Sequence, residues 1–144
     1  MNRILASLFA VALAGPAFAD GHASGDAEAG AKGFNKCKSC HSIISDAGEA
    51  IVKGGKTGPN LFGVVGRTAG TAEGYKYGKD TIAAGEAGVV WTEDAFVEYL
   101  VDPRKYLQAA LNDSKARSKM TFRLKKGGED IYAYLASVGP DATN

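Results

Sequence analysis

Cysteine, histidine, methionine and tryptophan are all scarce in this chain of 144 residues: two cysteines, two histidines, two methionines and one tryptophan. Beyond Cys37, Cys40 and the adjacent His41, only His22 remains, which leaves a structural zinc site without its ligand set. Cysteines three positions apart seldom staple two separate elements, which counts against a plain structural disulfide. Long hydrophobic runs are lacking too. The apolar or small stretch Ile4 to Ala14 stands alone and is too short to span a bilayer, which takes about 20 apolar residues. Met1-Asn2-Arg3 before it, Gly15-Pro16 after it and the A-x-A sequence Ala17-Phe18-Ala19 make residues 1–19 a secretory leader. The mature chain is expected to begin at Asp20, so that 20–144 form one exported domain. Net charge is missing as well. Without Arg3 the 17 basic residues fall to 16, against 16 acidic ones, and only their distribution can point to a partner. There is no internal repeat, low-complexity tract or convincing strand pair.

What is there centres on Cys37-Lys38-Ser39-Cys40-His41. Two thiols at this spacing followed by histidine form the pattern of a covalent haem attachment site, with His41 as an axial iron ligand. The competing chemistry is a redox-active dithiol, but that needs a βαβ setting, and the surroundings are rich in Gly, Ala and Lys.

Periodicity and capping predict an all-α domain with long loops. Asp26 can cap a helix through Ala27, Ala31 and Phe34, with Glu28 in its first turn. Gly30 in its middle costs roughly 1 kcal/mol of helix propensity and points to a close approach by another element. Residues 42–57 look loop-like, Gly58-Pro59-Asn60-Leu61 is a turn, and 63–88 form a glycine-rich loop whose tyrosines and valines need something to pack against. Thr92 caps a second helix through Phe96 and Leu100. Pro103 closes that helix or opens the next, and a last helix runs from about Gly128 to Ser137 before Gly139-Pro140. Met120, the only methionine besides the initiator, sits in a polar, basic loop with no apolar stripe to explain it as core, in contrast to a gap-filling methionine. A thioether suits a second axial position and raises the potential relative to His/His ligation; His22 is the other possible ligand.

In order and combination these residues resemble the class I c-type cytochromes, most closely the long-form cytochrome c2 of purple photosynthetic bacteria. The likeness is carried by Gly30 and Phe34; Cys37, Cys40 and His41; Thr57 to Leu61; Gly66-Arg67; Tyr75 and Tyr77; Trp91, Tyr99 and Pro103; Lys119-Met120 with Phe122; and Ile131 to Leu135. It implies the cytochrome c fold, several helices and long loops wrapped around one covalently bound haem c. It implies that the Pro59 carbonyl takes the His41 ring N–H, that Arg67, Tyr77 and Trp91 reach a buried propionate, and that Tyr99 donates to or lies beside the Met120 sulfur. It also implies that Gly30 lets the first helix cross the last near Tyr134. The spacings from His41 to Pro59 and from Pro103 to Met120 exceed those of the short mitochondrial form. Thr81 falls near a position where that form has asparagine, which leaves that polar network open.

With both axial positions filled, what remains is single-electron transfer. The resemblance makes the protein a periplasmic carrier, not an enzyme, between a cytochrome bc1-type complex and a photosynthetic reaction centre or terminal oxidase. A haem enzyme with peroxidase or ligand-binding activity is the alternative. Six basic residues and no acid lie between Lys115 and Lys126: Lys115, Arg117, Lys119, Arg123, Lys125 and Lys126. With Lys36, Lys38 and Lys105 they are expected to surround the exposed haem edge and steer the protein to acidic docking surfaces. No nucleic acid, no stable membrane insertion and a monomeric state are expected.

Overall fold

Asp26 opens the first helix as its composition predicts. Its side chain accepts from the backbone N–H groups of Glu28 and Ala29, satisfying two of the donors a helix start leaves free. In this computed structural model, which describes residues 23–140, α1 spans Ala27–Gly33 and tightens into a 3₁₀ turn over Phe34–Lys36. The leader 1–19 and His22 lie outside the described residues. The 3₁₀ turn runs straight into the Cys-x-x-Cys-His segment, where the N–H groups of Cys37 and Lys38 bond the Phe34 carbonyl and that of His41 bonds the Cys37 carbonyl.

The last helix, labelled α5 here, covers Gly128–Ser137 and packs across α1. Gly30 is the contact point: a Cβ there would run into the Asp130 carbonyl and come within 2.8 Å of the Tyr134 Cβ. Phe34 and Tyr134 stack at a tilt with centroids 5.8 Å apart, and the Asp26 N–H donates to the Asp130 carboxylate at 2.9 Å. Between the two helices lies the main core, which includes Phe34, Ile43, Ile131 and Leu135, each at most 2 % exposed.

Two elements depart from the sequence reading. The stretch expected to be loop contains an antiparallel hairpin, β1 (Ile43–Ile44) and β2 (Ala50–Val52), pairing Ile43 with Val52 and Ile44 with Ala50 across a bulge. Gly48, at φ +80°, makes the turn. Strands of two and three residues are too short to show an alternating pattern, so the β-branched pair at 43–44 was the only signal. The glycine-rich loop likewise holds a helix, α2 (Lys79–Glu86), which starts after Gly78 with no side-chain cap and buries Thr81 and Ala84, one turn apart. Gly85 lets α2 rest directly on the Ala69 backbone.

The middle helices begin as predicted. α3 (Glu93–Val101) is capped by the Thr92 hydroxyl accepting from Ala95 N–H. Asp102 then caps α4 (Pro103–Ala110) by accepting from Lys105 N–H, and Pro103 occupies the first turn, where a missing N–H costs nothing. A small second core of Ala84, Leu107 and Ala116 ties α2 to α4 and to the start of the Met120 loop.

Candidate functional site

An apolar cleft of about 260 Å³ opens between the Cys-x-x-Cys-His segment and the Met120 loop. All nine residues singled out from sequence line it: Cys37, Cys40 and His41 on one side, Pro59, Arg67, Tyr77 and Trp91 from the loops, and Tyr99 and Met120 from α3 and beyond. The apolar floor comes from Leu61, Val64, Phe96, Leu100 and Ile131, which gives the loop valines the packing surface their sequence called for.

His41 is held from two sides. Its Nδ1 lies 2.8 Å from the Pro59 carbonyl. A carbonyl only accepts, so Nδ1 carries the proton and Nε2 keeps its lone pair for a metal. Gly58 lies flat against the imidazole, leaving no room for a Cβ there. Burial lowers the ring's pKa, while the Pro59 bond raises it; burial is the larger effect and favours the neutral, ligating form.

The two thiols differ sharply. Cys37 is buried, and desolvation pushes it up to about 11; Cys40 is exposed and lowered by bonds from Thr57 and Ser39. An N-terminal thiol that stays protonated at neutral pH is the reverse of what a dithiol oxidoreductase needs, so the dithiol reading loses its main support.

Arg67 carries the strongest electrostatic demand. Its guanidinium donates to the Phe62 carbonyl at 3.0 Å and the Asn60 carbonyl at 3.4 Å, while its buried Nε has no partner. Burial lowers its pKa, and Tyr77 at its side works the other way. No acidic residue lines the cleft among the described residues. A half-buried guanidinium in a wall without an acid is chemically suited to an anionic group of the cleft's occupant. Arg67 and Trp91 are set in place by backbone pairing, with Gly66 N–H donating to the Trp91 carbonyl and Trp91 N–H to the Arg67 carbonyl.

Met120 is presented by a loop pinned at both ends. Arg117 N–H donates to the Asp80 carboxylate at 2.8 Å, and Leu124 N–H to the Leu100 carbonyl at 2.7 Å. Lys119 reaches back to the Lys76 carbonyl at 2.5 Å, with its ammonium over the Tyr75 ring. The expected link from Tyr99 to the Met120 sulfur is indirect here. The Tyr99 hydroxyl pairs with Ser118 Oγ at 2.9 Å, and the Met120 N–H donates to that same Oγ at 3.1 Å.

Sequence reasoning missed Ser118 as a positioning residue, and it read Asn60 only as part of the 58–61 turn. Asn60 accepts from Ile44 and Phe62 N–H and donates to the Ile44 carbonyl, binding the Pro59 turn to the hairpin. Asparagine straight after proline in a turn was the available signal. Thr81 is buried in the cleft wall.

All nine basic residues of the expected rim are exposed, but only Lys36 and Lys119 line the cleft itself. Arg117 and Arg123 face a second cavity beside Met120, and Arg123 pairs with Asp102 at 3.1 Å.

Known proteins resemble this chain in both sequence and fold. The chain is 63% identical over 139 residues to cytochrome c-551 of Roseobacter denitrificans, covering 96% of both chains. It is 55% identical to cytochrome c2 of Rhodobacter capsulatus, over 92% of this chain and 93% of that one. The chain belongs to the cytochrome c2 group of class I c-type cytochromes. The solved structure of Rhodobacter capsulatus cytochrome c2 superposes with a TM-score of 0.77 at 57% identity, covering 79% of this chain and 98% of its own. Ferric cytochrome c-550 of Paracoccus versutus gives 0.78 at 48% identity, over 81% of this chain and all of that one. No protein-family model matches the sequence. As a member of this group, the protein carries one covalently attached haem c and transfers electrons; it is not an enzyme. The cleft suits such a group on its own chemistry, with an apolar floor, a neutral imidazole and a half-buried guanidinium in a wall that holds no acid.

Proposed function

We propose that the protein is a periplasmic single-electron shuttle whose haem is held by thioethers at Cys37 and Cys40 and ligated by His41 and Met120. The observation that carries this reading is the placement of His41 and Met120 in the walls of one apolar cleft, the imidazole fixed as the Nδ1–H tautomer by Pro59. When bound, haem c supplies one-electron chemistry between ferric and ferrous iron. The chain's own contribution is to hold, orient and shield. Pro59 fixes the ring and raises its basicity. Arg67, with Tyr77 and Trp91 lining the same cleft, offers cationic and polar partners to a buried propionate. Ser118 and Tyr99 steady the Met120 segment. With a protein ligand on each face, no position is left for oxygen, peroxide or a substrate.

The donor is a cytochrome bc1-type complex and the acceptor a photosynthetic reaction centre or terminal oxidase, met through the exposed basic residues around Lys36 and Lys119. Residues 1–19 serve as the export signal, and 20–144 form the mature, monomeric domain. Among the described residues, no helix is long and apolar enough to cross a membrane.

Flash-induced oxidation of the purified holoprotein by reaction centres, at several ionic strengths, tests this. Fast transfer that slows steeply with salt is expected, because steering by exposed charge is screened. Slow, salt-insensitive transfer would remove the photosynthetic acceptor. Rapid carbon monoxide binding by the ferrous protein at neutral pH would remove Met120 as a firm ligand.

A further inference from the structure

Residues 117–123 carry Met120 into the cleft wall, yet their own backbone is barely attached. Among the described residues, this stretch makes no backbone–backbone hydrogen bond. Such bonds resume only at its margins, from Ala116 N–H to the Asp113 carbonyl and from Leu124 N–H to the Leu100 carbonyl. Ala116 and Leu124 are 1 % and 9 % exposed, so both margins are fixed in core. Between them two backbone groups are held. The Met120 N–H donates to Ser118 Oγ, a partner inside the loop, and the Arg117 N–H donates to the Asp80 carboxylate at 2.8 Å, a partner outside it. Asp80 is half-buried in the first turn of α2, where the helix dipole favours an acid, and its neighbours Gly78 and Thr81 line the haem cleft. The remaining outside attachments of 117–120 run through side chains, Ser118 to the Tyr99 hydroxyl and the Lys119 ammonium to the Lys76 carbonyl.

We propose that Asp80 is a positioning residue for Met120, and that its carboxylate, acting through the Arg117 N–H, sets how readily the thioether leaves the iron. This role rests on the ligation by Met120 proposed above. The sulfur can leave only if the segment before it swings. With the bond in place, the free backbone begins at Ser118, two residues before Met120; without it, the freedom of Arg117 is added. A carboxylate accepting a backbone N–H makes a charge-assisted bond, stronger than a neutral one, so this single contact weighs heavily on a loop with so few.

The test is capture of the ferric holoprotein by added imidazole, a neutral ligand that binds once the sixth position opens. Asp80→Ala should raise the imidazole affinity roughly tenfold, the loss of a charge-assisted bond. Asp80→Asn keeps an acceptor oxygen for the Arg117 N–H and should stay within about threefold of the parent. Lys79→Gln alters an exposed charge on the same turn without touching that bond and should stay within about twofold. Amide hydrogen exchange gives a second readout that involves no ligand of the iron. Asp80→Ala should speed exchange at residues 117–120 and leave α1 and α5 protected as in the parent, which also shows that the variant is folded. Uniformly faster exchange would make Asp80 a general stabiliser and overturn its positioning role. So would an unchanged imidazole affinity in Asp80→Ala, equal gains in Asp80→Asn and Asp80→Ala, or a gain in Lys79→Gln that matches Asp80→Ala. Met120→Ala separates the role of Asp80 from the ligand assignment. A parent that takes up imidazole as readily as Met120→Ala would overturn the ligation by Met120 and the role of Asp80 with it. A parent and an Asp80→Ala variant that resist imidazole equally, where Met120→Ala does not, would overturn the role of Asp80 alone.

Discussion

Two glycines three residues apart on α1 should respond to alanine with opposite signs. At Gly30 the added methyl would be driven into the Asp130 carbonyl, with that group's carbon at 2.5 Å and the Tyr134 Cβ at 2.8 Å. Ordinary carbon contacts lie near 3.5–4.0 Å, so α1 must move off α5 by about an ångström. Both obstacles are backbone or Cβ atoms, which no rotamer change can clear. Separating the helices also strains the Asp26–Asp130 bond and the Phe34–Tyr134 contact. Overpacking of this kind costs about 1–3 kcal/mol, and a stretched hydrogen bond about 1 more. The helix-propensity gain of alanine over glycine returns about 1 kcal/mol. Gly30→Ala should therefore destabilise the fold by about 2 kcal/mol, lowering Tm by roughly 8 °C. At Gly33 the same methyl would meet only Ile131 Cγ1 at 3.5 Å and Cδ1 at 3.7 Å, ordinary packing distances. Gly33→Ala should stabilise by about 0.5–1 kcal/mol. Guanidinium unfolding of the holoprotein, followed by far-ultraviolet circular dichroism, reads both variants, with an unchanged m-value as the condition for comparing them. If Gly30→Ala proves as stable as the parent, or both variants shift the same way, the close crossing of α1 and α5 is wrong.

Other perturbations probe the loops. Asn60→Ala removes bonds to Ile44 N–H, the Ile44 carbonyl and Phe62 N–H, and should cost about 2–3 kcal/mol in the same assay. Ser118→Ala leaves the Tyr99 hydroxyl and the Met120 N–H without their shared partner and should cost about 1–3 kcal/mol; adding Tyr99→Phe should cost less than its effect alone, a coupling readable in a double-mutant cycle. Met120→Ala should lower the reduction potential measured by spectroelectrochemical titration, and an unchanged potential contradicts His/Met ligation.

The starts of α1, α3 and α4 were legible because capping is local chemistry. Asp26 and Thr92 take the N–H groups that periodicity predicts to be free, and Pro103 can only begin or end a helix. Gly30 was legible as a contact because its cost in a helix needed a reason, and Asp130 is that reason. The hairpin and α2 escaped for the opposite cause. Their stability comes from what they rest on: Ile43 in the main core, Ala84 against Leu107, and Gly85 on the Ala69 backbone. A stretch whose order is borrowed from distant neighbours carries little local signal. The same division runs through the site. Cys37, Cys40, His41 and Met120 stand out by residue type as the proposed haem-holding groups, because few other residues bind iron or form thioethers. Ser118 does not, because serine in a polar loop is ordinary until Tyr99 and the Met120 N–H are found to converge on it.

This contrast extends to how the molecule is held together. The Cys-x-x-Cys-His segment follows directly from α1, so it inherits the rigidity of a helix crossing built on close backbone contact and a shared core. The opposite wall adds to its share of the core a set of single hydrogen-bonded attachments. The Pro59 turn hangs on Asn60, the 74–78 stretch on a Tyr75 hydroxyl bond to the Thr57 carbonyl and on Lys119, and the Met120 loop on Asp80, Leu100 and Ser118. Each of those attachments is one or a few hydrogen bonds, worth about 1 kcal/mol apiece. Between the walls sit an apolar floor and the half-buried Arg67 guanidinium, which together suit an apolar occupant with an anionic edge. With the proposed attachment at Cys37 and Cys40, the haem would complete the core for the second wall, tied to the rigid half and packed by the adjustable one. Losing the haem should loosen the 57–78 and 116–124 loops first and leave the α1–α5 crossing standing, a difference that amide hydrogen exchange on the haem-free protein would resolve region by region. Uniform loss of protection across α1, α5 and the loops would mean that the crossing, too, depends on the cofactor.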